Sequence, residues 1–456
     1  MNTKSPRNGI FRRLISLSVK VVNEYLPDPF IFCALLTFIV FIAAFPVTGM
    51  GPMQIINGWY EGFWSLLGFS MQMILVLVLG HALANSRPCA RALSAIASKL
   101  HTPSQAILVV SFVSLAASWF NWGFGLVIGA IFAKEIARKV KNVDYRLLIA
   151  SAYTGFLIWH GGLSGSIPLT IATDGALAKA SNNVVSGAIP VSDTLFSTYN
   201  LFIVIALFLT VPFLNRFMHP RADEVVTVDP KLLVEENMDI DESGATWADR
   251  IENGRWVSLV LAGIALIYIV NYFFTKGLDL NLNIVNFIFL FTGVLLHGTP
   301  RRYLIAIRNA ATSSSGIILQ FPFYAGIMGL MVVKGDNGVS IAGAMSNFFV
   351  DISTQTTFPF FTFIAAGIVN FFVPSGGGQW AVQAPIMLPA AQELGVSIAK
   401  TSMAIAWGDA WTNMIQPFWA LPALGIAGLG ARDIMGFCLI TLLYSGVVIS
   451  AGFLFL

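Results

Sequence analysis

Long apolar runs alternate with short polar interruptions along almost the whole chain. A helix needs roughly 20 apolar residues to cross the hydrocarbon core of a bilayer. Runs near that length cover residues 29–48, 63–83, 147–173, 201–218, 256–274, 282–297, 316–333, 404–430 and 434–456, and they predict about nine full spans. Two regions break the pattern. Runs 106–120 and 122–133 are each short and meet at Asn121-Trp122-Gly123. Runs 358–373 and 380–389 are separated by Pro374-Ser375-Gly376-Gly377-Gly378-Gln379. No arm of either pair crosses alone, so each pair predicts a re-entrant hairpin, over 104–134 and 358–391. Polar, glycine-rich backbone survives at membrane depth only when buried in protein or lining a wet cavity.

Two of the long runs are themselves interrupted. Run 147–173 contains Trp159-His160-Gly161-Gly162-Leu163-Ser164-Gly165-Ser166-Ile167-Pro168, and run 404–430 contains Trp411-Thr412-Asn413-Met414-Ile415-Gln416-Pro417. Adjacent glycines and a proline weaken a helix, and proline also removes a backbone donor. Both runs are therefore expected to be broken helices whose freed N–H groups point at a solute. A tolerated kink with small-residue packing of Gly161 and Gly165 is the alternative for the first.

Charge sets a threading. Arg87, Arg91 and Lys99 precede the first short pair, and Lys134, Arg138, Lys139, Lys141 and Arg146 follow it. Basic flanks favour the cytoplasm, so this segment enters and returns, and the N-terminus lies inside. Lys179, Lys276, Lys334 and Lys400 fall outside in the same threading. Residues 220–255 hold ten acidic residues, among them Glu235, Glu236, Asp239, Asp241 and Glu242. This stretch reads as a solvated cytoplasmic linker between an N-terminal repeat, 1–219, and a C-terminal repeat, 256–456. A shift of 254 residues aligns the hydrophobic blocks, placing residues 89–102 on 343–356, Asn121 on Ser375 and Pro168 on Pro422. The threading puts the second hairpin on the opposite side, so the halves read as inverted. The expected fold is an all-α, polytopic, inverted-repeat secondary transporter with two re-entrant hairpins and two broken helices.

Composition agrees. The chain has 456 residues, of which 56% are hydrophobic and 11% charged, against about 25% charged in a soluble protein. The net charge is +3, and no basic block interleaves with aromatics as a nucleic-acid surface would require. Cys33, Cys89 and Cys438 are scattered, without metal or redox spacing. No phosphate-binding loop, HExxH or GxSxG sequence occurs, so neither an ATP motor nor a hydrolytic enzyme is indicated. No metal site and no cofactor are expected, apart from H⁺ or Na⁺ as a coupling ion.

No Lys or Arg lies within a span away from its ends, so an anionic solute would be held by backbone N–H groups, hydroxyls and amides. The candidates are Asn121, Gly123, Ser164, Ser166, Ser375, Gly376, Gly377, Gly378, Asn413 and Gln416. Asp409, the one carboxylate well inside a span, and His160, beside a break, are candidates for ion coupling. Each also has a structural reading, as a hydrogen-bonded partner of its neighbours. Trp59 and Trp64 suit an interfacial belt, whereas Trp122, Trp380 and Trp411 could wall a small apolar pocket.

Leu26-Pro27-Asp28-Pro29, Asn121-Trp122-Gly123-Phe124-Gly125, Gln320-Phe321-Pro322-Phe323-Tyr324-Ala325-Gly326, Val373-Pro374-Ser375-Gly376-Gly377-Gly378 and Gln416-Pro417-Phe418-Trp419-Ala420-Leu421-Pro422 together resemble the short-chain fatty acid transporter (AtoE) family. The resemblance covers essentially the whole chain. It implies a bacterial inner-membrane carrier for small monocarboxylates such as acetoacetate or butyrate, embedded in the bilayer. It also implies kinship with the ion-transporter superfamily, and hence a homodimer whose transport domains move elevator-style. The motif positions it carries over are Asn121, Gly123, Ser375, Gly376, Gly377, Gly378 and Gln416. A sodium–proton exchanger on the same scaffold would want more than one buried carboxylate. An uncoupled anion channel would not need paired broken helices.

Overall fold

The computed structural model describes residues 10–173, 175–181, 185–233, 246–277 and 281–456, and the described residues are helical with no strand. Of the acidic residues at 220–255, Glu235, Glu236, Asp239, Asp241 and Glu242 fall outside the described residues, as do Lys4 and Arg7. Eight helical stretches are long and apolar enough to cross a membrane. This is a multi-pass, all-α membrane protein.

Helix starts follow simple local chemistry. Proline occupies the first turn of Pro29–Thr48, Pro52–Phe63, Pro103–Phe120, Pro300–Ala311 and Pro417–Ala427, where its missing N–H costs nothing. Asp28, Thr102 and Thr299 side chains also accept N–H bonds at three of these starts, and Asp144, Ser197, Asn281, Ser340 and Ser397 do so at others. Pro52–Phe63 and Pro300–Ala311 are helices that the hydropathy pattern does not indicate, because the first is half polar and the second carries three arginines.

Two helical hairpins stand out. In the first, Pro103–Phe120 and Trp122–Lys139 fold back at Asn121. A Cβ on Gly125 would overlap Ser118, and one on Gly129 would lie 2.6 Å from Ser114 Oγ, which fixes an antiparallel, close-packed pair. Both arms exceed their apolar cores. A Thr102–Gln105 capping box starts the first before the apolar run, and good helix formers carry the second through Lys139. The second hairpin pairs Phe358–Phe372 with Gly376–Glu393, and Gln379 Nε2 donates across it to the Ala366 carbonyl at 2.8 Å.

Run 147–173 forms Tyr145–Tyr153, a tighter 3₁₀ stretch Thr154–Gly161, an irregular turn, and Ser166–Ile171. Run 404–430 forms Ile398–Thr412 and Pro417–Ala427, split at residues 413–416. Seven of the nine expected spans are among the eight, Tyr145–Ile171 included. Leu282–His297 and the split run 404–430 fall short, and Pro103–Phe120, the first arm of the first hairpin, is long and apolar enough to cross where the sequence pattern predicts that it is not. The hairpins and split helices pack together with Thr198–Phe217 and Ala431–Phe455. A second group, Pro29–Thr48, Pro52–Phe63, Leu67–Ala84, Leu282–His297, Pro300–Ala311 and Ser315–Val332, packs alongside. Arg255–Lys276 lies outermost, with few buried residues.

Helix boundaries keep the spacing read from the sequence. Arg87–Ala97 and Ile341–Asp351 coincide at a shift of 254, as do Trp122–Lys139 and Gly376–Glu393.

Candidate functional site

The two hairpin tips are built alike. Asn121 has φ −151° and ψ 121°, and Ser375 has φ −151° and ψ 115°. Asn121 Oδ1 accepts from Phe124 N at 2.9 Å, and Ser375 Oγ accepts from Gly378 N at 3.4 Å. Each side chain thus caps the helix that leaves its tip, and the helix N-terminus there presents positive partial charge.

Residues 162–166 of the first split helix lie between the tips. On one side, Trp122 N donates to Ser164 Oγ at 3.0 Å, and Leu163 N donates to the Trp119 carbonyl at 2.8 Å. Gly162 is required here, because any Cβ would overlap the Trp119 carbonyl oxygen. On the other side, Gly376 comes so close that an added Cβ would sit 2.5 Å from Ser166 Oγ and 2.8 Å from His160 Nε2. Ser166 Oγ lies 2.9 Å from His160 Nε2, while His160 Nδ1 lies 2.7 Å from the Ala406 carbonyl. That network assigns the proton to Nδ1, with the serine hydroxyl donating to Nε2.

The second split helix closes the ring. Asp409 is completely buried. Its Oδ1 accepts from Asn413 Nδ2 at 3.3 Å and lies 3.7 Å from His160 Nδ1, and its Oδ2 meets no donor. Asn370, on the first arm of the second hairpin, donates to the Asp409 carbonyl, Thr412 Oγ1 and Asn413 Oδ1. Asn413 is therefore a fastening of the break, and its amide is committed to protein partners. Gln416 Oε1 caps Phe418 N at 2.7 Å, whereas its buried Nε2 has no acceptor.

Between the first tip and this break lies an aromatic cluster. Trp122 packs against Trp159 and Trp419 at centroid distances of 5.8 and 5.3 Å, and Phe156 stacks on Trp159 at 5.4 Å. The indole N–H groups of Trp159 and Trp419 are buried and meet no acceptor. Gln416 Nε2, three residues before Trp419, is likewise buried without an acceptor. Unpaired buried donors are costly, and an anion is the partner that would satisfy them.

The arrangement joins the first tip, Asn121-Trp122, to Ser164, and joins Gly376 to Ser166, His160 and Asp409. It separates others. Gly378 faces Met328 Sδ, 2.8 Å from an added Cβ, and Gly377 is exposed with nothing near it. Ser375 Oγ, like Asn121 Oδ1, is engaged as a helix cap. Trp411 does not wall a pocket, because its Nε1 donates to the Leu442 carbonyl and its ring lies against Gly367 and Gly446. Trp59 packs on Phe63 and Phe323 with its N–H buried. Trp159, Trp419, Asn370 and Asn200 are additions to the sequence-derived set. Asn200 bonds Trp407 Nε1 and the Gly161 carbonyl, steadying the first break from behind.

Comparison with known proteins adds an independent line. The family model described as "Short chain fatty acid transporter" matches residues 10–456. A "Putative short-chain fatty acid transporter" of Escherichia coli (strain K12) is 46% identical over 443 residues, covering 96% of this chain and 98% of the relative. A Haemophilus influenzae protein with the same description is also 46% identical, covering 95% and 97%. A solved structure, the YdaH transporter of Alcanivorax borkumensis, overlaps 94% of this chain and 97% of its own at 15% identity and a TM-score of 0.40.

Proposed function

This chain belongs to the short-chain fatty acid transporter family, and from that premise we propose that it is a proton-coupled secondary carrier of small monocarboxylates such as acetoacetate or butyrate. The observation that carries the reading is the trio of unmet donors, Gln416 Nε2 and the Trp159 and Trp419 indoles, the indoles set among aromatic rings beside a capped helix N-terminus. A carboxylate accepts hydrogen bonds and needs no buried cation when donors and a helix dipole converge on it. A short alkyl tail suits Trp and Phe faces, and a long one would not fit between rings this close.

Protons are favoured over Na⁺ by the groups around Asp409. A hard cation in a broken-helix site is held by carbonyl and carboxylate oxygens. The side-chain groups nearest the Asp409 carboxylate are nitrogen-borne, Asn413 Nδ2 and His160 Nδ1. A bare buried carboxylate costs several kcal/mol, and a proton would remove that cost. In this reading the hairpins are re-entrant from opposite faces, the halves are inverted, the N-terminus is cytoplasmic, and the protein is a homodimer of the bacterial inner membrane.

Uptake of labelled butyrate into proteoliposomes tests the site. Asn121→Ala and Ser375→Ala should each reduce it sharply at unchanged protein level. Asn121→Ser should retain most of it, because serine caps the equivalent tip. Full uptake in both alanine variants would remove the tips from the mechanism.

A further inference from the structure

A cavity of about 520 Å³ lies between Arg87–Ala97, the start of Arg255–Lys276 and the segment after Leu282–His297. Arg87, Arg91, Arg255 and Arg302 line it, and no acidic residue does among the described residues. Arg87 and Arg91 are one turn apart, so they project from the same helix face. Neither they nor Arg255 have a described carboxylate within ion-pair distance. The nearby acids Asp249 and Glu252 are turned to Arg301 instead.

Two further features point to a ligand. Ser258 lines the cavity, is 1% exposed, and its hydroxyl has no hydrogen-bond partner. A serine in an apolar helix ordinarily bonds back to its own turn, so this hydroxyl is left for something else. One wall is apolar and open, with Leu259 60% and Leu295 43% exposed. That wall continues down the outermost helix through exposed Val260, Ile264 and Ile267.

We propose that this cavity binds the phosphate headgroup of an anionic phospholipid, with an acyl chain lying along Arg255–Lys276. Guanidinium groups take phosphate oxygens in bidentate fashion, the Ser258 hydroxyl donates to a further oxygen, and the leucines meet hydrocarbon. The arginines lie on the face that charge assigns to the cytoplasm, where such basic pockets between helices meet inner-leaflet headgroups. The site lies apart from the transport centre and does not rest on the proposed substrate.

The test uses the full-length protein in phosphatidylcholine nanodiscs, titrated with tetraoleoyl cardiolipin or with inorganic phosphate. Cardiolipin should raise the melting temperature and stay bound through native mass spectrometry. The triple variant R87Q/R91Q/R255Q should weaken retention by about a hundredfold, with its melting temperature in pure phosphatidylcholine unchanged. R87K/R91K/R255K should recover only part of the binding, because an ammonium keeps the charge but not the two-pronged contact, and Ser258→Val should weaken it without altering charge. Retention unaffected by both the triple glutamine and the valine variant overturns the site. An equal stabilisation by inorganic phosphate, with no lipid retained, overturns the lipid assignment in favour of a soluble anion.

Discussion

Gln416 divides its amide between two tasks, and the division can be tested. Its oxygen caps Phe418 N, and its nitrogen meets nothing. Gln416→Glu keeps an oxygen for the cap while replacing the free donor with an acceptor. A hydrogen bond to a charged group contributes about 1.5–3 kcal/mol, so KM for butyrate in initial-rate uptake should rise at least about tenfold. An unchanged KM would show that the donor trio does not face the substrate. Asp409→Asn leaves the Asn413 contact geometry but removes the oxygen proposed to carry the proton. Accumulation driven by an imposed proton gradient should disappear while butyrate–butyrate counterflow persists, and loss of both would make Asp409 a structural group only. At this scale the sequence was partly legible. Asn121 and Ser375 declare themselves as polar residues between short apolar runs, though not as the helix caps they are, and Asp409 as the one carboxylate well inside a run. Asn370 and Asn200 gave no such signal, since an amide within an apolar helix looks the same whether it faces a break or a neighbouring helix. Trp159 and Trp419 hid for a related reason, because tryptophan suits a core, a belt or a donor nest equally well.

The hairpins and split helices depend on close backbone approach more than on side-chain bulk. Gly125→Ala in the first hairpin would press a methyl into Ser118, where overpacking costs about 1–3 kcal/mol. Gly377→Ala at the open second tip meets nothing within 4 Å. Thermal melts should therefore separate the two, with the first variant several degrees lower and the second close to the parent. Equal melting temperatures would mean that the first hairpin is less tightly closed than described. Hydropathy revealed the hairpins because glycine and polar residues interrupt otherwise apolar runs. It passed over Pro52–Phe63 and Pro300–Ala311 because short or amphipathic helices carry no long apolar signal, although Gly51-Pro52 and Thr299-Pro300 are helix-start chemistry.

For the whole molecule, the informative quantity is which side of the membrane each hairpin leaves from. Lys99 and Lys141 flank the first hairpin, Thr356 and Glu393 flank the second, and all four are exposed. Single cysteines at 99 and 141 should react with an impermeant maleimide from one side only, and cysteines at 356 and 393 from the other. Labelling of 99 and 141 from opposite sides would make the first hairpin a pair of spans and dissolve the proposed symmetry. The common spacing of helices in the two halves was legible because hydrophobic blocks mark helix positions even where residue identity is near chance. What joins the halves was not: the approach of Gly376 to His160 and Ser166 brings together residues far apart in the chain. The tips share backbone angles yet differ in surroundings, with Asn121 sealed in and Gly377 open. Under the proposed inverted symmetry, each half serves as a template for the conformation the other has not taken. Threading the second tip onto the packing of the first, and the reverse, drafts the opposite-facing form of the carrier from contacts the protein already makes.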